Sequence, residues 1–313
     1  MKNLMETLIG KAREYEIVPV ESFKQGHGNG LSVKIVVPCF CQAKCPFCFN
    51  NLTTDTQCHD YEAFFKDLKI SLDRIFGNLA DKRNISLDIT GNEPTFNVNV
   101  FKRLMYVLRE YKNQTDKIVL TTNGFHLAEC LPEMAGVVDI VNISLHHYNE
   151  DIRKKEILRT DFIPSNDDLK NIIEAGNAVG ITFTAVAVLY KKFENFADFY
   201  NKFVDFAMAV GFKDVRFRSN FVNKDEFIGE VLNTNIEYQE FNALSGLTTK
   251  IIKDRARNGY EVRILVGVPD LTAYVVGPEL VIDDNGKTYV DYNKRFPIDD
   301  EKIGYFANLY ILK

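Results

Sequence analysis

Cys39, Cys41, Cys45 and Cys48 fall within ten residues, while Cys58 and Cys130 stand apart. Six cysteines in 313 residues are too few for a disulfide framework. In a chain with no secretory signal, such a cluster reads as metal binding or redox catalysis. Cys41, Cys45 and Cys48 have the spacing CxxxCxxC in the string Cys41-Gln-Ala-Lys-Cys-Pro-Phe-Cys48, so three thiolates converge from one short loop. A tetrahedral zinc site would take a fourth ligand, from Cys39 or His59. An iron–sulfur cube held by three cysteines instead keeps one iron open for another ligand. Both chemistries stay open on these residues alone.

Three further strings carry polar groups that could serve such a centre: Gly91-Asn92-Glu93-Pro94, Thr121-Thr122-Asn123-Gly124 and Ile143-Ser144-Leu145-His146. Each ends a stretch that reads as a strand. From Ser32 the chain alternates between β-branched runs and segments with apolar residues at helical spacing. Strands are expected over Val33–Val37, Ile85–Ile89, Lys117–Thr121, Val137–Leu145, Ile181–Leu189 and Val215–Arg218. Helices are expected around Phe64–Phe76 with Asp60 as N-cap, and over Val98–Tyr111, Leu127–Met134 and Phe193–Val210. Another starts from a Ser165/Asp168 capping box. A helix near Ile236–Arg257 would close a sixth unit. Repeated β-then-α steps imply parallel strands, and the expected fold is α/β, a partial (β/α)6 TIM-type barrel with a small antiparallel C-terminal extension. In such a barrel the loops at the carboxyl ends of the strands meet at one mouth, so strings scattered in sequence become one site.

The expected organisation is a preamble over 1–30, a core over 31–235 and an extension over 236–313. The Gly26-His27-Gly28-Asn29-Gly30 run precedes a strand instead of following one, which is the wrong context for a phosphate loop. Lys+Arg 38 against Asp+Glu 43 leaves a formal charge of −5, which supplies no broad cationic surface for nucleic acid. No stretch reaches the roughly 18 to 20 apolar residues that cross a bilayer, so a cytoplasmic protein without membrane contact is expected.

Taken together, the CxxxCxxC string with Phe47 before its last cysteine, Gly91-Asn92-Glu93-Pro94 and the two later strand ends resemble the radical S-adenosylmethionine (radical SAM) superfamily. The resemblance implies a [4Fe-4S] cluster on Cys41, Cys45 and Cys48, with S-adenosylmethionine on its open iron. It also implies reductive cleavage to a 5′-deoxyadenosyl radical that abstracts hydrogen from a substrate. By the family pattern the backbone of Gly91, Asn92 and Glu93 receives the methionine amino group, with Asn92 in place of a glycine. Thr121, Thr122 and Asn123 are candidates for the carboxylate and ribose, Ser144 for a ribose hydroxyl, and Phe47 with Val186 or Val188 for adenine. Arg153, Arg159, Arg216 and Arg218 are the guanidinium candidates for a carboxylate or an acidic substrate. Cys39 is expected to be a buried bystander. His146 and His147 are adjacent, so at most one of them faces the cavity.

The Asp283-Asp284-Asn285-Gly286-Lys287 turn signals a hairpin that resembles a cluster-free remnant of the SPASM and twitch extensions. As a cap it would bring Asp270, Tyr274, Tyr289, Tyr292 and Tyr305 to the substrate chamber. The expected substrate is a small molecule or nucleotide, with a peptide as the alternative and an electron donor such as flavodoxin or ferredoxin as partner. A non-catalytic iron–sulfur or zinc module is the remaining reading. No catalytic side chain is singled out.

Overall fold

The structure, a computed structural model, describes residues 30–48, 60–79, 84–189, 196–219, 238–242, 248–254, 257, 260–266 and 279–289. Residues 1–29 of the expected preamble, and Cys58, His59, Asp270, Tyr274, Tyr292 and Tyr305, lie outside these residues. Six parallel strands succeed one another: β1 (Gly30–Val37), β2 (Asn84–Gly91), β3 (Lys117–Thr122), β4 (Ile140–Ser144), β5 (Thr182–Leu189) and β6 (Asp214–Ser219). The helices between them are α1 (Tyr61–Leu79), α2 (Val98–Arg109), α3 (Leu127–Met134), α4 (Asn166–Ala178) and α5 (Phe196–Val210). A short turn at Glu150–Ile152, continued by a π-helical turn at Arg153–Ile157, lies between β4 and α4.

The caps form as the sequence predicts. Asp60 Oδ1 accepts from Ala63 N at 3.1 Å at the start of α1, and Ser165 and Asp168 close a reciprocal capping box on α4. Asn97 Oδ1 accepts from Asn99 N and Val100 N and so starts α2 directly after the Gly91–Pro94 string.

Alternation along the strands sorts the two faces of the sheet. Leu31, Val33, Ile35 and Val37 of β1, Ile85, Leu87 and Ile89 of β2, and Phe183, Ala185 and Ala187 of β5 are buried with the apolar helix faces in one core. Each large apolar side chain removed from water there contributes about 1.5–3 kcal/mol. The opposite, concave face is polar. Ser32 Oγ donates to Asp88 at 2.9 Å and Lys34 forms an ion pair with the same carboxylate. Burial alone would raise the Asp88 pKa. The Lys34 ammonium and the Ser32 hydroxyl outweigh it and hold the carboxyl below its ordinary value.

The C-terminal elements join this same sheet. With β7 (Tyr238–Asn242), β8 (Thr248–Asp254), β9 (Tyr260–Val266), β10 (Glu279–Ile282) and β11 (Thr288–Tyr289), its strand order is β11-β10-β1-β2-β3-β4-β5-β6-β9-β8-β7, which leaves the barrel open. Strand β9 pairs parallel with β6, and β10 pairs parallel with β1. The antiparallel part comprises β7 and β8 beside β9, and β11 beside β10.

Two expectations change. The helix expected near Ile236–Arg257 is replaced by the β7–β8 pair. The Thr248-Thr249-Lys250-Ile251-Ile252 run is β-branched, which suits a pleated strand, and Ser245-Gly246 is a turn signal that the helical spacing masks. The C-terminal hairpin also does not cap the mouth through Tyr289. Leu280 and Ile282 are fully buried in the main core. The turn seats on α1, where Ser71 Oγ donates to Gly286 O at 2.7 Å. A Cβ on Gly286 would come within 2.7 Å of Asp67 Cβ, and its φ of +78° already favours glycine. Tyr289 is buried there, its hydroxyl accepting from Asn285 Nδ2 at 3.1 Å.

Candidate active site

The loop after β1 carries all four clustered cysteines, and the structure divides them. Cys39 is buried in the main core. Cys41 and Cys45 pack against a separate small cluster of Ala43, Leu158 and Ile163. Cys48 N donates to Cys45 O at 3.1 Å, which turns the loop, and Lys44 N donates to Leu158 O at 2.7 Å, which ties it to the residue after the π-helical turn. Burial pushes the Cys41 and Cys45 thiols up to about 12; Cys48 adds to both, and Cys41 and Glu93 add further. Burial likewise raises Cys39 to about 11, but none of the other three cysteines acts on it. Cys41, Cys45 and Cys48 are therefore one electrostatic group, and Cys39 is outside it.

Among the described residues no three His, Cys, Asp or Glu groups surround a point where a single ion would touch them all. By chemistry the donor set, three cysteine thiols on one loop, suits an iron–sulfur cube that takes one thiolate on each of three irons.

The loop after β2 locks onto the cysteine loop. Gly91 has φ +130°, and a Cβ there would lie 2.9 Å from Val37 O and 3.0 Å from Val37 N, so only glycine lets β2 end so close to the strand that carries the cysteines. Asn92 Nδ2 donates to Cys39 O at 3.0 Å. The side chain added in place of glycine is thus a tether to the neighbouring loop. Asn92→Gly should lower stability by about 1 kcal/mol, the usual worth of one such bond, while cluster loading stays intact. Urea denaturation read beside iron content checks this, and loss of loading would show that the tether does more than hold the fold.

Glu93 is 1% exposed. Its Oε1 accepts from Thr95 N at 3.1 Å, Thr95 Oγ1 at 2.7 Å and Thr122 Oγ1 at 2.5 Å, and its Oε2 accepts from Asn123 N at 2.7 Å. Burial raises its pKa despite these four donors. The carboxylate thereby clamps the loop after β3 to the loop after β2. Thr122 is buried with its hydroxyl spent on Glu93 and on Gly124 N, so its side chain is turned into the protein. Thr121 Oγ1 accepts from Asn142 Nδ2 at 3.3 Å. Asn123 reaches the cysteine loop, with Nδ2 3.6 Å from Cys41 Sγ and Oδ1 accepting from Gln42 Nε2 at 3.0 Å.

The far side of the mouth comes from β4, β5 and β6. Ser144 pairs with Val186, and Val188 pairs with Arg218. His146 has φ +64°, which turns its ring onto Phe47, with centroids 4.8 Å apart in an edge-on contact. Its Nδ1 accepts from Val188 N at 3.1 Å, placing the proton of the neutral ring on Nε2. Burial and then the Arg218 guanidinium lower its pKa to about 3. His147 packs instead on Tyr148 and Phe199, so one histidine of the pair meets Phe47; both lie beyond the end of β4, where the left-handed φ of His146 replaces strand alternation as the reason.

The guanidinium candidates separate. Arg153 is 1% exposed; its Nη1 donates to His147 O and its Nη2 to Asn166 Oδ1, which ties two segments together, while its Nε is buried without a hydrogen-bond partner. Arg159 is exposed and acts electrostatically on Cys45. Arg216 lies on the concave face of β6, its Nε buried without a hydrogen-bond partner, and burial with Arg218 lowers its pKa to about 10. Gln42, Thr95 and the Asn92 side chain were not legible as site residues. The only sequence signal was their position inside or beside the motif strings.

Residues 35–203 match the Radical SAM superfamily model. This stretch is more than half of the chain, and the chain belongs to that superfamily of enzymes. Two crystal structures from Streptococcus suis share the fold. SuiB bound to S-adenosylmethionine superposes with a TM-score of 0.56 at 15% identity over 96% of this chain and 70% of that one. A second SuiB structure gives 0.52 at 15% identity over 91% and 64%. No curated protein sequence matches the chain. No described helix is long and apolar enough to cross a membrane.

Proposed function

We propose that the protein holds a [4Fe-4S] cluster on Cys41, Cys45 and Cys48 and cleaves S-adenosylmethionine reductively, so that a 5′-deoxyadenosyl radical abstracts hydrogen from a small-molecule or nucleotide substrate. The observation that carries this reading is the interlock of the cysteine loop with the loops after β2 and β3 through Asn92, Glu93 and Asn123. When bound, cluster and sulfonium supply the electron transfer and the radical. The chain's own residues orient and enclose.

The backbone of Gly91, Asn92 and Glu93 would receive the methionine amino group; the Glu93 side chain is committed to Thr95, Thr122 and Asn123, and its carbonyl also accepts from Phe96 N at 3.0 Å. Thr121 and Ser144 lie on the concave face for ribose and carboxylate oxygens. Phe47, Val186 and Val188 offer apolar contact for adenine, and Arg218 stands at the rim. The half-buried Arg216, with its unmatched Nε and Arg218 beside it, favours a substrate bearing an anionic group.

The test is anaerobic reconstitution followed by S-adenosylmethionine and a strong reductant, with 5′-deoxyadenosine quantified. Formation of that product is expected, and its yield should rise with phosphate- or carboxylate-bearing compounds more than with neutral ones. Arg216→Gln should weaken that response. A protein that carries the cluster yet forms no 5′-deoxyadenosine would overturn the reading in favour of a non-catalytic iron–sulfur module. A rise only with peptides would move the substrate to that class.

A further inference from the structure

Asn123 is held in one orientation. Its main-chain N–H is bound by Glu93 Oε2 at 2.7 Å. Its side-chain Oδ1 accepts from two donors, Gln42 Nε2 and Phe125 N, each at 3.0 Å. Rotating the amide by half a turn would set its NH2 against both of those donors, so the oxygen must face them and the nitrogen must face the other way. The other way is Cys41, whose Sγ lies 3.6 Å from Nδ2.

The loop behind this amide has little room to relax. Asn123 is 8% exposed. Gly124 follows at φ +94°, and a Cβ on it would fall 2.8 Å from Pro164 Cγ. Gln42, in turn, is tied by a second bond to Phe162 O at 3.2 Å. The donor is therefore preorganised, not one of several equal rotamers.

From this geometry we infer that Asn123 is a potential-setting residue: its side-chain N–H donates to the Cys41 sulfur and raises the reduction potential of the cluster. The inference rests on Cys41 being a cluster ligand, as proposed above. One added electron makes the cluster and its thiolates more negative, and a donor aimed at a ligating sulfur stabilises that state more than the oxidised one. The same placement removes the Asn123 amide from the groups open to the carboxylate or ribose of S-adenosylmethionine, because all of its fixed contacts lie within the protein.

The experiment is a redox titration of the reconstituted cluster, followed by electron paramagnetic resonance without S-adenosylmethionine. It compares wild type with Asn123→Ala, Asn123→Asp and Gln42→Ala. Asn123→Ala should load iron and sulfide to the wild-type level but titrate at a lower potential. At the wild-type midpoint its ratio of reduced to oxidised cluster should fall several-fold, where a tenfold fall in a one-electron couple equals about 59 mV. Asn123→Asp, which replaces the donor by a negative group, should fall further. Gln42→Ala, which frees the amide without removing it, should fall less.

Equal midpoints for wild type, Asn123→Ala and Asn123→Asp, all loaded, would overturn the inference and leave the proposed function standing. Failure of the wild type to hold a cluster would overturn the proposed function itself. If Asn123→Ala fails to load, Gln42→Ala decides, since it keeps every Asn123 atom; an unshifted midpoint there counts against the inference.

Discussion

Replacing any one of Cys41, Cys45 and Cys48 by alanine is expected to abolish the iron–sulfur cluster and with it all 5′-deoxyadenosine, whereas Cys39→Ala should keep both. The effect is all-or-none because a cube on three thiolates needs every one of them, and Cys39 is the one other cysteine among the described residues of this loop. Cys39 cannot substitute: it is buried 2% exposed in the main core, while Cys41 and Cys45 pack with Ala43, Leu158 and Ile163. Visible absorbance and iron and sulfide analysis after anaerobic reconstitution check each variant. A Cys39→Ala protein without cluster beside a Cys41→Ala protein that keeps it would show that the triad is drawn one ligand out of place.

Glu93→Ala should be the most damaging change outside the cysteines. It leaves the main-chain N–H groups of Thr95 and Asn123 without acceptors in a buried place, at about 1–3 kcal/mol each, and adds a cavity, for roughly 3–5 kcal/mol in all. That is a large part of the stability of an ordinary domain, about 5–15 kcal/mol. The damage should reach the cluster too, because Asn123 loses the bond that sets the loop beside Cys41. Glu93→Gln keeps the shape but must turn its NH2 toward either Asn123 N or the Thr95 and Thr122 donors, so it should fall between wild type and alanine. Urea denaturation with iron content as a second readout measures both variants. Wild-type values of each for Glu93→Ala would refute the role of the clamp.

The two predictions separate direct ligation from support. Loss of a cysteine should empty the site while leaving the sheet intact, since the thiols lie beyond the end of β1. Loss of Glu93 should weaken the joint between two strand ends and reach the cluster only through it. The midpoint measured for Asn123 variants adds a third signature, a loaded cluster at the wrong potential.

Much of this architecture is written locally along the chain. CxxxCxxC after a β-branched run, and Gly91–Pro94, Thr121–Gly124 and Ser144 at successive strand ends, are short-range patterns whose meaning survives without knowing any long-range contact. The strand and helix periods are local too, and so are the Asp60 and Ser165/Asp168 caps, because a cap is decided within four residues. What needed the folded molecule were contacts between residues far apart in sequence. Asn92 to Cys39 O, Asn123 to Cys41 Sγ and Glu93 to Thr122 span 53, 82 and 29 positions, and nothing in residue type reveals which polar group each amide will meet. For the same reason Arg153 could not be told from Arg216: residue type is the same, and only packing buries one at the start of the π-helical turn and sets the other on the concave face of β6. The β7–β8 pair and the seat of the hairpin on α1 belong with these, since strand pairing is a choice among distant partners made by the burial each partner offers, not by the spacing of its own side chains.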